Sequence, residues 1–166
     1  MVRFNMNKKG SIVDLVMIGI LLFFFAIFVL IGLKVTNEFK TQLPSIEGVD
    51  STTSGYINST ATNFTNVIDK SFFFFAMFLA IVTLILASLV RVHPIFIIFY
   101  FIGLILIIFL CGIFSNVYTD MANSTQLQST ANDLPLITFM MTWLPMFVGT
   151  FGIILMIIMY KLWQNG

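Results

Sequence analysis

The sequence predicts an all-α, polytopic integral membrane protein whose four transmembrane helices form one antiparallel bundle. Three observations predict it. First, 59% of the 166 residues are hydrophobic and 9% are charged, whereas an ordinary soluble domain is about a quarter charged. The 20 Phe outnumber the 8 Lys plus Arg, which is more apolar surface than a single soluble core of this size hides. Second, four apolar runs each approach the roughly 20 residues that cross a bilayer core of about 30 Å as a helix. Third, the stretches between them are rich in Asn, Ser and Thr. Composition thus excludes a soluble enzyme, a disordered tail and a disulfide-stapled secreted module.

The first expected span covers 12–33 and contains one acid, Asp14. The second covers 72–90 and the third 95–114, with no charge inside the apolar run of either. The fourth run is long, and its crossing is placed at 143–162 by two tryptophans. Trp143 and Trp163 are 20 residues apart, about 30 Å of helix, and tryptophan favours the two membrane interfaces. Pro145 then falls in the first turn, where a missing N–H costs little. Leu134 to Thr142 reads as a short interfacial segment leading in. The four spans make one domain over 1–166, with outer loops at about 34–71 and 115–135. Arg91-Val92-His93-Pro94 is a tight turn that makes the second and third spans a hairpin. Ser51 to Asn66 is low-complexity, 11 of its 16 residues being Ser, Thr or Asn, and reads as a solvated connector. Val35 to Leu43 and Asn63 to Phe72 are candidate helical extensions beyond the membrane.

Lys and Arg near the span ends set orientation. Arg3, Lys8, Lys9, Arg91 and Lys161 share one side of a four-span chain, and Lys34, Lys40 and Lys70 share the other. The bias predicts cytoplasmic N- and C-termini, with Arg91, Trp143, Lys161 and Trp163 as interface anchors. Sequons begin at Asn58, Asn63 and Asn123, all in the expected outer loops. Loops this rich in Asn, Ser and Thr produce such triplets by composition alone.

The basic amino terminus and the long apolar run after it fit an uncleaved signal-anchor. Lys8-Lys9-Gly10-Ser11 resembles the processing site of type IV prepilins, which implies cleavage after the glycine. That family carries its acid at the fifth mature residue, whereas Asp14 would be the fourth. Asp14 is a possible ionisable site, because acids within spans are functional candidates by default. In this respect the chain resembles the four-helix small multidrug transporters, which carry a glutamate in their first helix. The favoured reading is local: Ser11-Ile12-Val13-Asp14 matches a capping box, and an acid in a first turn suits the helix dipole. The lone cysteine, Cys111, forms no internal disulfide. Families whose outer loops need disulfides, such as tetraspanins, claudins and connexins, are therefore excluded.

Membrane helices associate by close packing of small residues. Ala76, Ala80, Thr83 and Ala87 recur at spacings of 4, 3 and 4, one helical stripe. Gly19 and Ala26 are seven apart, and Gly149 and Gly152 continue a comparable stripe from Thr142 in the fourth span. These are the expected helix-packing residues. Phe-rich faces remain for lipid or for neighbouring subunits.

No catalytic, metal or cofactor-binding set emerges. The chain has no metal-ligand spacing, no phosphate loop, no nucleophile elbow and a single histidine, His93. Net charge is +1, so nucleic acid is not an expected partner. The expectation is a non-enzymatic structural or accessory subunit of a larger membrane assembly. An example is the internal membrane protein of a membrane-containing virus. Its partners would be the lipid bilayer and either further copies of itself or other membrane subunits. The alternative is a small transporter or pore, holin-like or proton-coupled, with Asp14 as the ionisable site.

Overall fold

A computed structural model describes residues 12–45, 50–88 and 94–164. The elements are α1 (Ile12–Gln42), a 3₁₀ turn at Leu43–Ser45, α2 (Ser51–Ser88), α3 (Pro94–Ala122), α4 (Gln128–Asn132), α5 (Pro135–Thr142) and α6 (Leu144–Gln164). The described residues contain no strand. Four of the helices, α1, α2, α3 and α6, are long and apolar enough to cross a membrane.

The helices outrun the apolar segments that predict them. α1 continues to Gln42 and α2 begins at Ser51, so most of the expected 34–71 loop is helical. The Ser/Thr/Asn-rich connector at 51–66 is corrected to the first four turns of α2. The reason lies in its polar groups. Asp50 caps the helix, its Oδ1 accepting the Thr53 N–H at 2.8 Å, the local bond that favours Asp at a helix start. The hydroxyls then bond back to their own backbone: Ser54 to Asp50 O, Ser59 to Tyr56 O, Thr62 to Asn58 O and Thr65 to Ala61 O. Side chains bonded this way are satisfied within the helix, at a small cost to it. The three sequon asparagines are exposed.

The register between helices follows from a few close contacts. Phe23 of α1 stacks on Phe114 of α3 with ring centroids 4.5 Å apart, and Phe25 stacks on Phe72 of α2 at 5.8 Å. α6 packs on α3, with Gly149 against Ile108 and Gly152 against Leu104.

The core is unevenly placed. It is concentrated where α4 and α5 lie, from Leu22 to Leu33 on α1, at Cys111, Tyr118 and Ala122 on α3, and at Ile137, Met140 and Met141 on α5. Toward the other end, the far halves of α2, α3 and α6 expose large apolar side chains such as Phe78, Ile98, Ile105 and Ile157.

Candidate functional site

The most organised polar region is built around α5, an eight-residue helix. Its own sequence does not cap it. Leu134 occupies the N-cap position and makes no side-chain cap bond, and Pro135 opens the first turn. The free N–H groups of that turn are met from another helix. Asp69 of α2 is 4% exposed, and its two carboxylate oxygens accept the backbone N–H of Leu136 at 3.1 Å and of Ile137 at 2.8 Å. A negative charge at a helix N-terminus is also favoured by the helix dipole.

The opposite end of α5 has the complementary problem. Pro145 has no N–H to donate, and the backbone donors of Met146 and Phe147 both turn to Trp143 O. This breaks the ladder between α5 and α6 and frees the Thr142 carbonyl. Ser115 of α3 donates its hydroxyl to that carbonyl at 2.7 Å. α5 is thus held at one end by α2 and at the other by α3.

A third bond anchors its middle. Thr138 Oγ1 donates to Ala131 O at 3.2 Å and lies 3.3 Å from the Tyr118 hydroxyl. Thr138 has a single proton, which goes to the carbonyl, so Tyr118 is the donor in that pair. α1 joins the region at its rim. Lys34 Nζ donates to Gln126 O at 2.7 Å and pairs with Glu38 at 3.1 Å, while Asn37 donates to Asp133 Oδ2 at 3.4 Å.

Among the described residues, no buried side-chain nitrogen or oxygen lacks a hydrogen-bond partner. None of them forms a group of three His, Cys, Asp or Glu placed to hold a metal ion. What the polar cluster does chemically is satisfy the ends of a short helix. Nothing in the sequence marks Asp69 or Ser115 as a site residue. Their partners lie 67 and 27 residues away, beyond the reach of local capping rules.

The expected packing residues fall in two groups. Ala26 is fully buried and Ala76 nearly so. A Cβ on Gly19 would lie 3.7 Å from Cys111 Sγ, one on Gly149 3.4 Å from Ile108 Cδ1, and one on Gly152 would overlap Leu104. The α2 stripe behaves differently at its far end. Ala80 and Thr83 line a cavity of about 70 Å³ between α1, α2 and α6, with Gly19 and Ala76 also in its wall. The Thr83 hydroxyl donates to its own helix at Leu79 O, 2.8 Å away. Trp143 is half exposed at the α5–α6 break, and Lys161 is exposed near the end of α6. Asp14 lies in the first turn of α1, but its side chain is outside the described residues, as are those of Ala87 and Trp163. Ser11, Arg91 and His93 fall outside the described residues altogether.

Comparison with known protein families, with curated proteins and with solved structures finds no match.

Proposed function

We propose that the chain is inserted in a membrane through α1, α2, α3 and α6 as an antiparallel bundle, and serves as a non-enzymatic structural subunit of a larger membrane assembly. One observation carries this reading: large apolar side chains stay uncovered along all four long helices, while the buried polar side chains among the described residues are all hydrogen-bonded within the chain. Phe24, Phe28, Phe74, Phe78, Phe99 and Phe109 are among the exposed ones. In water such faces would have to be covered; in a bilayer they meet lipid or neighbouring subunits. Four helices of this length cannot cover each other's outer faces, so the surface left over is contact surface. Phe and Met at this density suit broad, adaptable contacts.

In this arrangement the α5 end faces outward. Both termini lie on the cytoplasmic or interior side, in keeping with the excess of Lys and Arg there. The internal membrane protein of a membrane-containing virus is one concrete version.

Native mass spectrometry of the detergent-extracted protein tests the assembly. The expected result is a homo-oligomer or a complex with other membrane subunits. A monomer that also makes no partner contacts by cross-linking in its own membrane refutes the reading.

A further inference from the structure

The helices leave a void between α1, α2 and α6. Among the described residues, α1 and α6 each pack on α2 and on α3, and do not approach each other closely. Small residues face the gap: Gly19 from α1, and Ala76, Ala80 and Thr83 from α2. The resulting cavity holds about 70 Å³. Its two ends differ. Toward α5 it is closed by Leu22, Ala76, Met140 and Leu144, all buried. Away from α5 it is rimmed by Ile18, Ala80, Thr83 and Phe151, all half-buried.

The open end lies near the middle of the proposed bilayer. On α2 the apolar run begins at Phe72, with Lys70 and Ser71 exposed just before it, and α6 begins at Leu144. Phe25 stacks on Phe72 and sets the same level on α1. At 1.5 Å per residue, Ala80 and Thr83 stand roughly 12 and 16 Å from that level, and Ile18 and Phe151 roughly 10 Å. A hydrocarbon core of about 30 Å has its midplane about 15 Å in, where the acyl chains of both leaflets end. The wall offers nothing to a polar guest. None of the residues around the cavity is charged, and its one side-chain hydroxyl, on Thr83, already donates to Leu79 O at 2.8 Å. A buried water needs about 2–4 polar partners.

We infer that this cavity is a binding site for the end of a lipid acyl chain, which enters between α1, α2 and α6 at mid-bilayer. The inference rests on the membrane insertion proposed above and deepens it by naming a ligand and its site. Chemistry, size and depth select the occupant together. An empty void forfeits dispersion contacts along its lining, and the molecule present at this depth is hydrocarbon. An apolar cavity of about 150 Å³ takes benzene; one about half that size admits a slender chain end and not a ring. The buried floor formed by Leu22, Ala76 and Leu144 stops the chain short of α5, so the methyl end enters and the headgroup stays outside.

The test uses the full chain reconstituted in phosphatidylcholine vesicles whose acyl chains carry a photoactivated diazirine, either at the methyl end or beside the carboxyl group. Labelled residues are mapped by mass spectrometry. Ile105 of α3 is exposed at a similar depth and reports lipid around the outside of the bundle; Leu104 and Ile107, buried on the same helix, lie outside the cavity. The methyl-end probe is expected to label Leu22 and Ala76, which are buried from the outside, together with Ile105, and to spare Leu104 and Ile107. The carboxyl-end probe is expected to miss Leu22 and Ala76. Ala80→Leu, with helicity checked by circular dichroism, fills the mouth and is expected to abolish the label on Leu22 and Ala76 while leaving that on Ile105. If Ile105 is labelled and Leu22 and Ala76 are no more labelled than Leu104 and Ile107, the cavity holds no chain; the site is overturned and membrane insertion stands. Equal labelling of Leu22 and Ala76 by both probes overturns the chain end as the occupant, and this comparison in the native sequence decides even if Ala80→Leu does not fold. If the chain neither floats with the vesicles nor takes label at Ile105, insertion and site fall together.

Discussion

Removing the Asp69 carboxylate should cost more than removing any exposed acid of this chain. Asp69 is 4% exposed and accepts two backbone N–H groups, from Leu136 and Ile137. In Asp69→Ala both donors lose their acceptor at the start of a helix whose own N-cap residue, Leu134, offers no replacement. Loss of a helix cap costs about 1–2 kcal/mol. Each buried donor left unpaired costs about 1–3 kcal/mol. The two figures describe partly the same loss, so the expected penalty is about 2–4 kcal/mol. Asp69→Asn keeps one acceptor oxygen and should lose roughly half of that. Asp133→Ala, an exposed acid meeting Asn37 at 3.4 Å, should cost no more than about 0.5 kcal/mol. Denaturant unfolding in one detergent reads the three variants, and amide exchange at Leu136 and Ile137 locates the effect. Equal costs for Asp69→Ala and Asp133→Ala, with no faster exchange at those two amides, would refute the assignment of Asp69 as the cap of α5.

Two further predictions follow from the glycines and from α2. A Cβ on Gly152 would overlap Leu104 Cδ1 and lie 3.0 and 3.1 Å from its Cδ2 and Cγ; Leu104 is 3% exposed and has little room to move. Overpacking of about 1–3 kcal/mol exceeds most of the helix-propensity gain of about 1 kcal/mol, so Gly152→Ala should destabilise. Gly32→Ala, where nothing lies within 4 Å, should gain stability; thermal melts in a single detergent that moved in the same direction would contradict this. For α2, hydrogen bonds from Thr53, the side chain first and the backbone second, hold the Asp50 carboxyl below its ordinary 3.8. A depressed value means that the cap's contribution is present above the ordinary value and is lost as pH falls through the lowered one. The protection of the Thr53 and Ser54 amides, taken as exchange relative to the intrinsic rate at each pH, should therefore fall on acidification below about pH 4, and Asp50→Asn should remove most of that dependence.

The four long helices are legible because each contains an uninterrupted apolar run, and Pro145 does fall in the first turn of α6. The helical start of α2 is legible only in hindsight. Asp50 followed by Ser51, Thr52 and Thr53 is a cap signature, but the composition of 51–66 outweighs it when the stretch is judged by its average. Composition cannot distinguish a hydroxyl that solvates a loop from one that bonds back four residues along a helix. The α5 cluster is not legible at all. Its chemistry depends on tertiary pairing of Asp69 with the 136–137 backbone and of Ser115 with Thr142 O. The apolar run of α1 is similarly mute about its partners: Ala26 to Leu33 is apolar on every side, and only tertiary packing shows that its inward face belongs to the core under α4 and α5.

That double use of α1 bears on why the polar cluster sits where it does. In the proposed bilayer, Phe72, Phe114 and Leu144 mark the level at which α2, α3 and α6 leave the apolar region. Asp69 lies three residues before Phe72, and Ser115 directly follows Phe114. The break between α5 and α6 falls at this same level, leaving two amide donors at one end of α5 and a carbonyl at the other. Deeper in the membrane these groups would have no water to satisfy them. Further out, water would serve, and nothing would fix the position of α5. At the boundary, one carboxylate and one hydroxyl from neighbouring helices satisfy all three groups. In doing so they set α5 across the core that α1 extends outward to meet. In the proposed bilayer, the apolar excess of α1 and the buried acid of α2 are thus two sides of one arrangement: a short capped helix seated where the bundle would leave lipid.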